Sequence, residues 1–186
     1  ICLDSGDRER LGAFAGFLTG GGKVLSVDHH ITNTHYGDEN VVEPDASSTC
    51  EVLFGLMDEE KISRETAACL YTGIVHDTGV FQYSNTSVKT MDIAGKMMKK
   101  GIDFSTIISE SYYQKTYVQN QVLGRALLES ILFCDGQCIF SVIRKKDMEF
   151  YGVTSKDMEG IVEQLRSTAG VECAIFLYEK EFQEHK

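Results

Sequence analysis

Lys23-Val24-Leu25-Ser26-Val27-Asp28-His29-His30 is a short apolar run that stops in a carboxylate and two imidazoles. Upstream, Ile1-Cys2-Leu3 ends the same way, in Asp4-Ser5-Gly6-Asp7. Both runs have the length and composition of buried parallel strands. Residues 8–18 between them are of mixed polarity and predict a short crossover helix. Strand, helix, strand is the unit of a parallel sheet, because parallel neighbours need a crossover connection. Ligands of open parallel sheets bind beyond the carboxyl ends of the strands, and both polar clusters fall there. The reading is therefore an α/β fold, with the chemistry at the strand ends.

The rest of the chain is mainly helical at first. Ser47-Ser48-Thr49 offers N-cap hydroxyls ahead of an apolar-periodic stretch that runs through Met57, with Glu51 in its first turn. Ser63 opens a second helix to about His76. Residues 88–100 form an amphipathic helix that places Met91, Ala94, Met97 and Met98 on its core face, with Gly101 as its C-cap. Helices over 104–113 and 116–130 follow. The pattern then changes: 131–134 and 138–143 predict a hairpin around Asp135-Gly136, followed by a helix over 155–168 and a strand over 172–178. The polar run 179–186 closes the sequence. A three-stranded sheet with one covering helix looks incomplete, and the non-Met start at Ile1 points to residues upstream.

Composition sets bounds. The 186 residues are 42% hydrophobic and 25% charged, as in an ordinary globular protein. No apolar run approaches the roughly 20 residues that cross a bilayer, and no signal peptide is visible. A formal net charge of −10 argues against a broad surface for long nucleic acid. It is compatible with small phosphorylated substrates, since bound cations reverse the local field. The six scattered cysteines read as buried, reduced thiols of a cytoplasmic protein. Cys134 and Cys138 flank the hairpin turn and could face each other, which leaves a metal or redox role open.

Three segments carry candidate chemistry. In Asp28-His29-His30 the adjacent histidines are expected to point in different directions and not to share one metal; one can ligate while the other faces substrate or is held by a carboxylate. Taken alone, the triplet also reads as loop polarity. In Gly73-Ile74-Val75-His76-Asp77-Thr78-Gly79, a mostly apolar helix ends in a carboxylate that needs a partner. A capping role for Asp77 is the plain alternative, and His76 reads as a polar neighbour rather than a ligand. Asp4 follows the first strand and points toward the same crevice. Asp4, His29 and Asp77 together offer two hard oxygens and one imidazole, a set suited to manganese, magnesium or iron rather than a closed structural zinc site.

Asp4 within Leu-Asp-Ser-Gly-Asp, the Asp28-His29-His30 triplet, Gly-Ile-Val-His-Asp-Thr-Gly-Val-Phe and Ala46-Ser47-Ser48-Thr49-Cys50-Glu51 together resemble the DHH phosphoesterases. The nearest branch resembles oligoribonucleases that also dephosphorylate 3′-phosphoadenosine 5′-phosphate. The resemblance implies a parallel-sheet DHH domain with helices on both faces over 1–115, a connector helix over 116–130, and part of a smaller α/β substrate domain over 131–186. It implies that Asp4 bridges two metals (Mn2+, with Mg2+ as the alternative), that His29 and Asp77 complete one of their spheres, that Asp28 orients neighbours, and that His30 sits near the substrate phosphate. Water activated between the metals would attack phosphorus, so that the catalytic set is Asp4, His29, His30 and Asp77. The substrate would be short single-stranded RNA or a phosphorylated nucleotide; a homodimer is left open.

Two features of that family are absent: a His-x-Asp-x-Asp segment before Asp4 and a glycine-rich Gly-Gly-His segment near the C-terminus. The chain as given would then hold one impaired metal site and turn over little. The alternatives are a cyclic dinucleotide phosphodiesterase of the same superfamily and a non-catalytic nucleotide-binding domain.

Overall fold

The computed structural model describes residues 1–179; the polar run from position 180 onward lies outside them. The chain divides into two compact units, Ile1–Gln114 and Lys115–Lys186.

In the first unit, β1 (Cys2–Leu3), β2 (Leu25–Asp28) and β3 (Glu39–Val42) form a sheet in that order, with both pairings parallel. The α/β class with a parallel sheet is as expected. Strand β3 is an addition. Its sequence, Glu-Asn-Val-Val, has only two apolar residues, too few to signal a strand. The start of β3 is fixed by pairing rather than by pattern: the Glu39 N–H donates to the Val24 carbonyl (3.1 Å), and the Asp38 carboxylate accepts from the Val24 N–H (2.8 Å).

The expected crossover α-helix is not formed. Glu9–Thr19 is a 3₁₀ segment broken at Gly12 (φ 53°, ψ −127°), and it buries no residue. Gly12, Gly16 and the Gly20-Gly21-Gly22 run lower helix propensity, and Phe14 and Phe17 stay exposed instead of supplying an apolar stripe.

Four helices complete the unit: α1 (Thr49–Leu56), α2 (Arg64–Asp77), α3 (Val88–Lys99) and α4 (Phe104–Ile108), the last running into a π-helical turn at Ser109–Tyr113. Ser48, Ser63, Ser87 and Asp103 cap them through side-chain oxygens that accept backbone N–H bonds of the first turn. Phe54, Leu70, Ile74, Ile93, Ala94 and Met97 lie in their shared core, while Val27 of β2 packs with Ala46 and Val52.

The core face of α3 is Thr90, Ile93, Ala94 and Met97. Met91 and Met98, expected on that face, are exposed. The true stripe has i, i+3, i+4, i+7 spacing, and it was hidden because its first member is a threonine whose hydroxyl is buried on a carboxylate.

Helices α1 and α2 meet where Gly73 faces Cys50. A Cβ built on Gly73 would fall inside the contact radius of Cys50 Sγ. Gly73→Ala is therefore expected to lower stability by about 1–3 kcal/mol through overpacking, read as a fall in the urea midpoint. The smaller Cys50→Ala in the same chain should restore part of it.

In the second unit, α5 (Tyr117–Leu128) buries Val122 and Ala126 against the sheet of β4 (Ile131–Phe133), β5 (Cys138–Ile143) and β6 (Cys173–Tyr178). Strands β4 and β5 form the antiparallel hairpin, and β6 adds parallel to β5. Between β5 and β6, α6 (Lys145–Tyr151) precedes a 3₁₀ turn at Ser155–Met158 and α7 (Ile161–Arg166). The single helix expected over 155–168 is thus split, at Gly160 with φ 83°. Helix α6 buries no residue and so left no periodic signal.

Candidate metal centre

Asp4 stands one residue beyond β1, with its N–H bonded to the Val27 carbonyl (3.1 Å) and its backbone left-handed (φ 57°). Aspartate tolerates that region better than most side chains. Its carboxylate accepts a hydrogen bond from the Thr49 hydroxyl at the start of α1 (2.8 Å). Replacing Thr49 with valine keeps the shape and removes this bond. Loss of a residue that orients a ligand costs roughly 10–100-fold in metal affinity, so weaker manganese binding of that order is expected by titration calorimetry, with the fold unchanged by circular dichroism.

Asp28 ends β2 fully buried, and it survives there because three donors surround it: the His29 N–H (2.9 Å), His30 Nδ1 (2.7 Å) and Asn33 Nδ2 (2.6 Å). Burial pushes its pKa up, but the bonds from His30, Asn33 and the backbone outweigh burial and hold it below the usual aspartate value. An ionised carboxylate only accepts, so Nδ1 of His30 carries a proton.

The same argument fixes His29. Its Nδ1 lies 3.3 Å from the Ala46 carbonyl, which can only accept, so Nδ1 is the donor and, in the neutral ring, Nε2 holds the lone pair. That Nε2 is 3.7 Å from Asp4 Oδ1 and 3.8 Å from Asp77 Oδ2. The site residues Asp4, His29 and Asp77, drawn from three distant parts of the sequence, thus meet around one imidazole nitrogen.

The two histidines diverge less than expected. Asp4 Oδ1 lies 3.9 Å from His30 Nδ1 as well, and Asp4, His29 and His30 each offer a ligating atom within 4.8 Å of the others. The rings sit edge to face with centroids 4.8 Å apart, so the Asp4 carboxylate is shared between them.

Asp77 is the last residue of α2. Burial raises its pKa, the charge of Asp4 raises it further, and the three neighbouring histidines only partly oppose this. Beyond it, Gly79, Val80 and Phe81 are all left-handed (φ 54°, 57° and 64°), an unusual path for a β-branched residue. Thr78, fully buried, holds this turn: its hydroxyl donates to the Ile74 carbonyl (2.6 Å) and accepts from the Phe81 N–H (3.0 Å), and its carbonyl accepts from Gln82 and Tyr83. His76 faces elsewhere, on Ser111 Oγ (3.1 Å) and the edge of Tyr112.

Sequence reasoning did not assign the residues that hold this set together. Asn85 Nδ2 donates to the backbone carbonyls of Ser47 and Asp77, both at 3.0 Å, and so ties the loop carrying Ala46 to the end of α2. Glu51, only 1% exposed, accepts from Ser47 Oγ (2.6 Å) and Thr90 Oγ1 (2.7 Å), with Lys89 Nζ 3.5 Å away. The Ala46–Glu51 stretch is therefore a scaffold: Ala46 orients His29, Ser48 caps α1, Thr49 holds Asp4 and Glu51 anchors the loop to α3. Asn33 and Asn85 are single amides in loops, and nothing local in the sequence marks them.

A parallel sheet with acidic and imidazole groups at its strand ends, closed by a helix-terminal aspartate, defines an α/β protein with a cluster of candidate metal ligands. Residues 1–74 match the DHH family, N-terminal domain. The chain as a whole is similar to the bifunctional oligoribonuclease and PAP phosphatase NrnA of Bacillus subtilis, 27% identical over 98% of this chain and 59% of that protein. It is also similar to the protein of the same name from Thermus thermophilus, 24% identical over 86% of this chain and 48% of that one. The crystal structure of an exopolyphosphatase-related protein from Bacteroides fragilis superposes with a TM-score of 0.86 at 26% identity, over 91% of this chain and 52% of that one. The chain thus spans between about half and three-fifths of the length of these relatives. Among the described residues, no helix is long and apolar enough to cross a membrane.

Proposed function

We propose that this chain is the metal-binding part of a cytoplasmic phosphoesterase that hydrolyses short oligoribonucleotides, 3′-phosphoadenosine 5′-phosphate, or both. One observation carries the reading: Nε2 of His29 lies 3.7 Å from the Asp4 carboxylate and 3.8 Å from that of Asp77, two acidic groups that repel each other. Burial and then the charge of Asp4 raise the pKa of Asp77, and a bound cation would offset both. Manganese suits the donors, two carboxylates and an imidazole, and magnesium is the alternative. Asp4, His29 and Asp77 would hold the metal. When bound in a pair, such ions supply Lewis acidity and a nucleophilic water at neutral pH.

The protein groups have separate tasks. Thr49 fixes the rotamer of Asp4, and the Ala46 carbonyl fixes the tautomer of His29. Asp28 holds His30 by Nδ1, which leaves Nε2 to donate a hydrogen bond to, or accept one from, a substrate phosphate. No side chain needs to act as a nucleophile. In this reading residues 1–115 are the DHH domain, 116–130 connect, and 131–186 are part of the substrate domain. The NrnA proteins named above supply the substrate classes; six unpaired cysteines support a reducing compartment.

The test is hydrolysis of a short RNA and of 3′-phosphoadenosine 5′-phosphate by the full-length natural protein, with manganese titrated in. Turnover that rises with manganese and stops with chelator is the expected result. Manganese binding with no turnover of either substrate would leave a nucleotide-binding domain.

A further inference from the structure

Three of the six cysteines gather at one corner of the second sheet, away from any group used above. Cys138 opens β5, Cys173 opens β6, and the two are register partners in the parallel ladder. Their side chains leave the same face, from Cα atoms about 4.8 Å apart, the spacing of adjacent strands. That lies within the span a disulfide bridges. Cys134 joins from the other side. Phe133 is the antiparallel partner of Cys138, and the next residue turns the chain into the hairpin with φ 51°.

The corner is tied together by backbone bonds. The Cys134 carbonyl accepts from Gln137 (3.0 Å), and the Gln137 carbonyl accepts from Glu172 (2.8 Å) and Cys173 (3.1 Å). Cys138 interacts through its thiol with both of the others. Cys134 and Cys173 are exposed, whereas Cys138 between them is half-buried.

We propose that these three cysteines form a peroxide-sensitive redox site in which Cys138 is the shared resolving thiol, closing a disulfide with Cys173 or with Cys134. The thiolate of an exposed cysteine attacks one oxygen of hydrogen peroxide; the O–O bond breaks, leaving a sulfenic acid and hydroxide, which takes up a proton as water. The sulfur of Cys138 then attacks the sulfenic sulfur. The S–S bond forms, the S–O bond breaks, and the departing hydroxide leaves as water with the Cys138 proton. Two thiols lose two electrons in all, and one peroxide becomes two waters. Burial, with the two neighbouring thiols, raises the pKa of Cys138, so it waits as a thiol while an exposed partner meets the oxidant. The remaining third thiol can attack Cys138 and exchange the bridge.

Peptide mapping after peroxide treatment and thiol blocking, at low protein concentration, tests this. The wild type is expected to lose two titratable thiols and to show Cys138 bridged to Cys173 or Cys134. Cys134→Ser should keep the Cys138–Cys173 bridge, and Cys173→Ser the Cys134–Cys138 bridge. Cys138→Ser, and Cys138→Ala as the apolar replacement for a half-buried position, should both form no bridge and instead accumulate sulfinic acid on the exposed pair. A Cys134–Cys173 bridge in either Cys138 variant, bridges only between chains, or no bridge in the wild type would overturn the assignment. Melting curves of the reduced variants show that each is folded before oxidation.

Discussion

Replacing His29 with alanine in the full-length natural protein is expected to reduce manganese-dependent hydrolysis by more than the roughly 10–100-fold that removal of a mere orienting residue costs. His29 Nε2 is the point at which Asp4 and Asp77 converge, at 3.7 and 3.8 Å. Its loss removes the imidazole between two carboxylates and leaves their repulsion less opposed. Asp77→Ala should cost a similar amount in turnover by a different route, because it deletes one anionic ligand and relieves that repulsion. The two variants separate in stability without metal: Asp77→Ala should unfold at higher urea than His29→Ala. Manganese binding by electron paramagnetic resonance, read beside kcat, checks both. Normal turnover with unchanged manganese affinity in either variant would remove that residue from the site.

The second large effect falls on stability. Glu51 is buried with two hydroxyl donors and the Lys89 ammonium, and it joins the 46–51 loop to α3. Glu51→Ala is expected to cost about 3–5 kcal/mol, the range for breaking a buried charged network by removing one partner. Its pH dependence has a definite sign. Burial pushes the Glu51 pKa up, and the bonds from Ser47 and Thr90 with the charge of Lys89 bring it below the ordinary value of 4.5. A carboxylate held low in the folded state binds fewer protons there than in the unfolded chain. Its stabilisation is therefore complete above about pH 4.5 and fades as pH falls through the lower folded value. Urea unfolding of the wild type and Glu51→Gln at pH 7 and at progressively lower pH should show the difference between them shrinking toward acid. A difference that stays constant or grows there would contradict the assignment.

Much of this arrangement was legible before the structure, for identifiable reasons. Short apolar runs ending in Asp4 and Asp28 located β1 and β2, because buried parallel strands leave an unbroken hydrophobic signal. Serines ahead of periodic stretches located α1, α2 and α3. What escaped depends on partners distant in sequence. Strand β3 is half-buried and is specified by its pairing with β2. Thr90 was left out of the core face of α3 because its burial depends on Glu51, 39 residues away. The tautomer of His29 depends on a backbone carbonyl, which has no letter in the sequence. The meeting of Asp4 with Asp77 followed from their places at a strand end and a helix end, but the convergence of both histidines on Asp4 required the left-handed backbone at that residue.

The Asn85 amide grips two main-chain oxygens and no side chain. It therefore enforces the course of the polypeptide without regard to which residues occupy positions 47 and 77. The side chains at those positions answer to other partners, Glu51 at one and the imidazole at the other, while the span between them is kept by a residue indifferent to both. Tolerance to substitution and constancy of shape are in this way assigned to different positions.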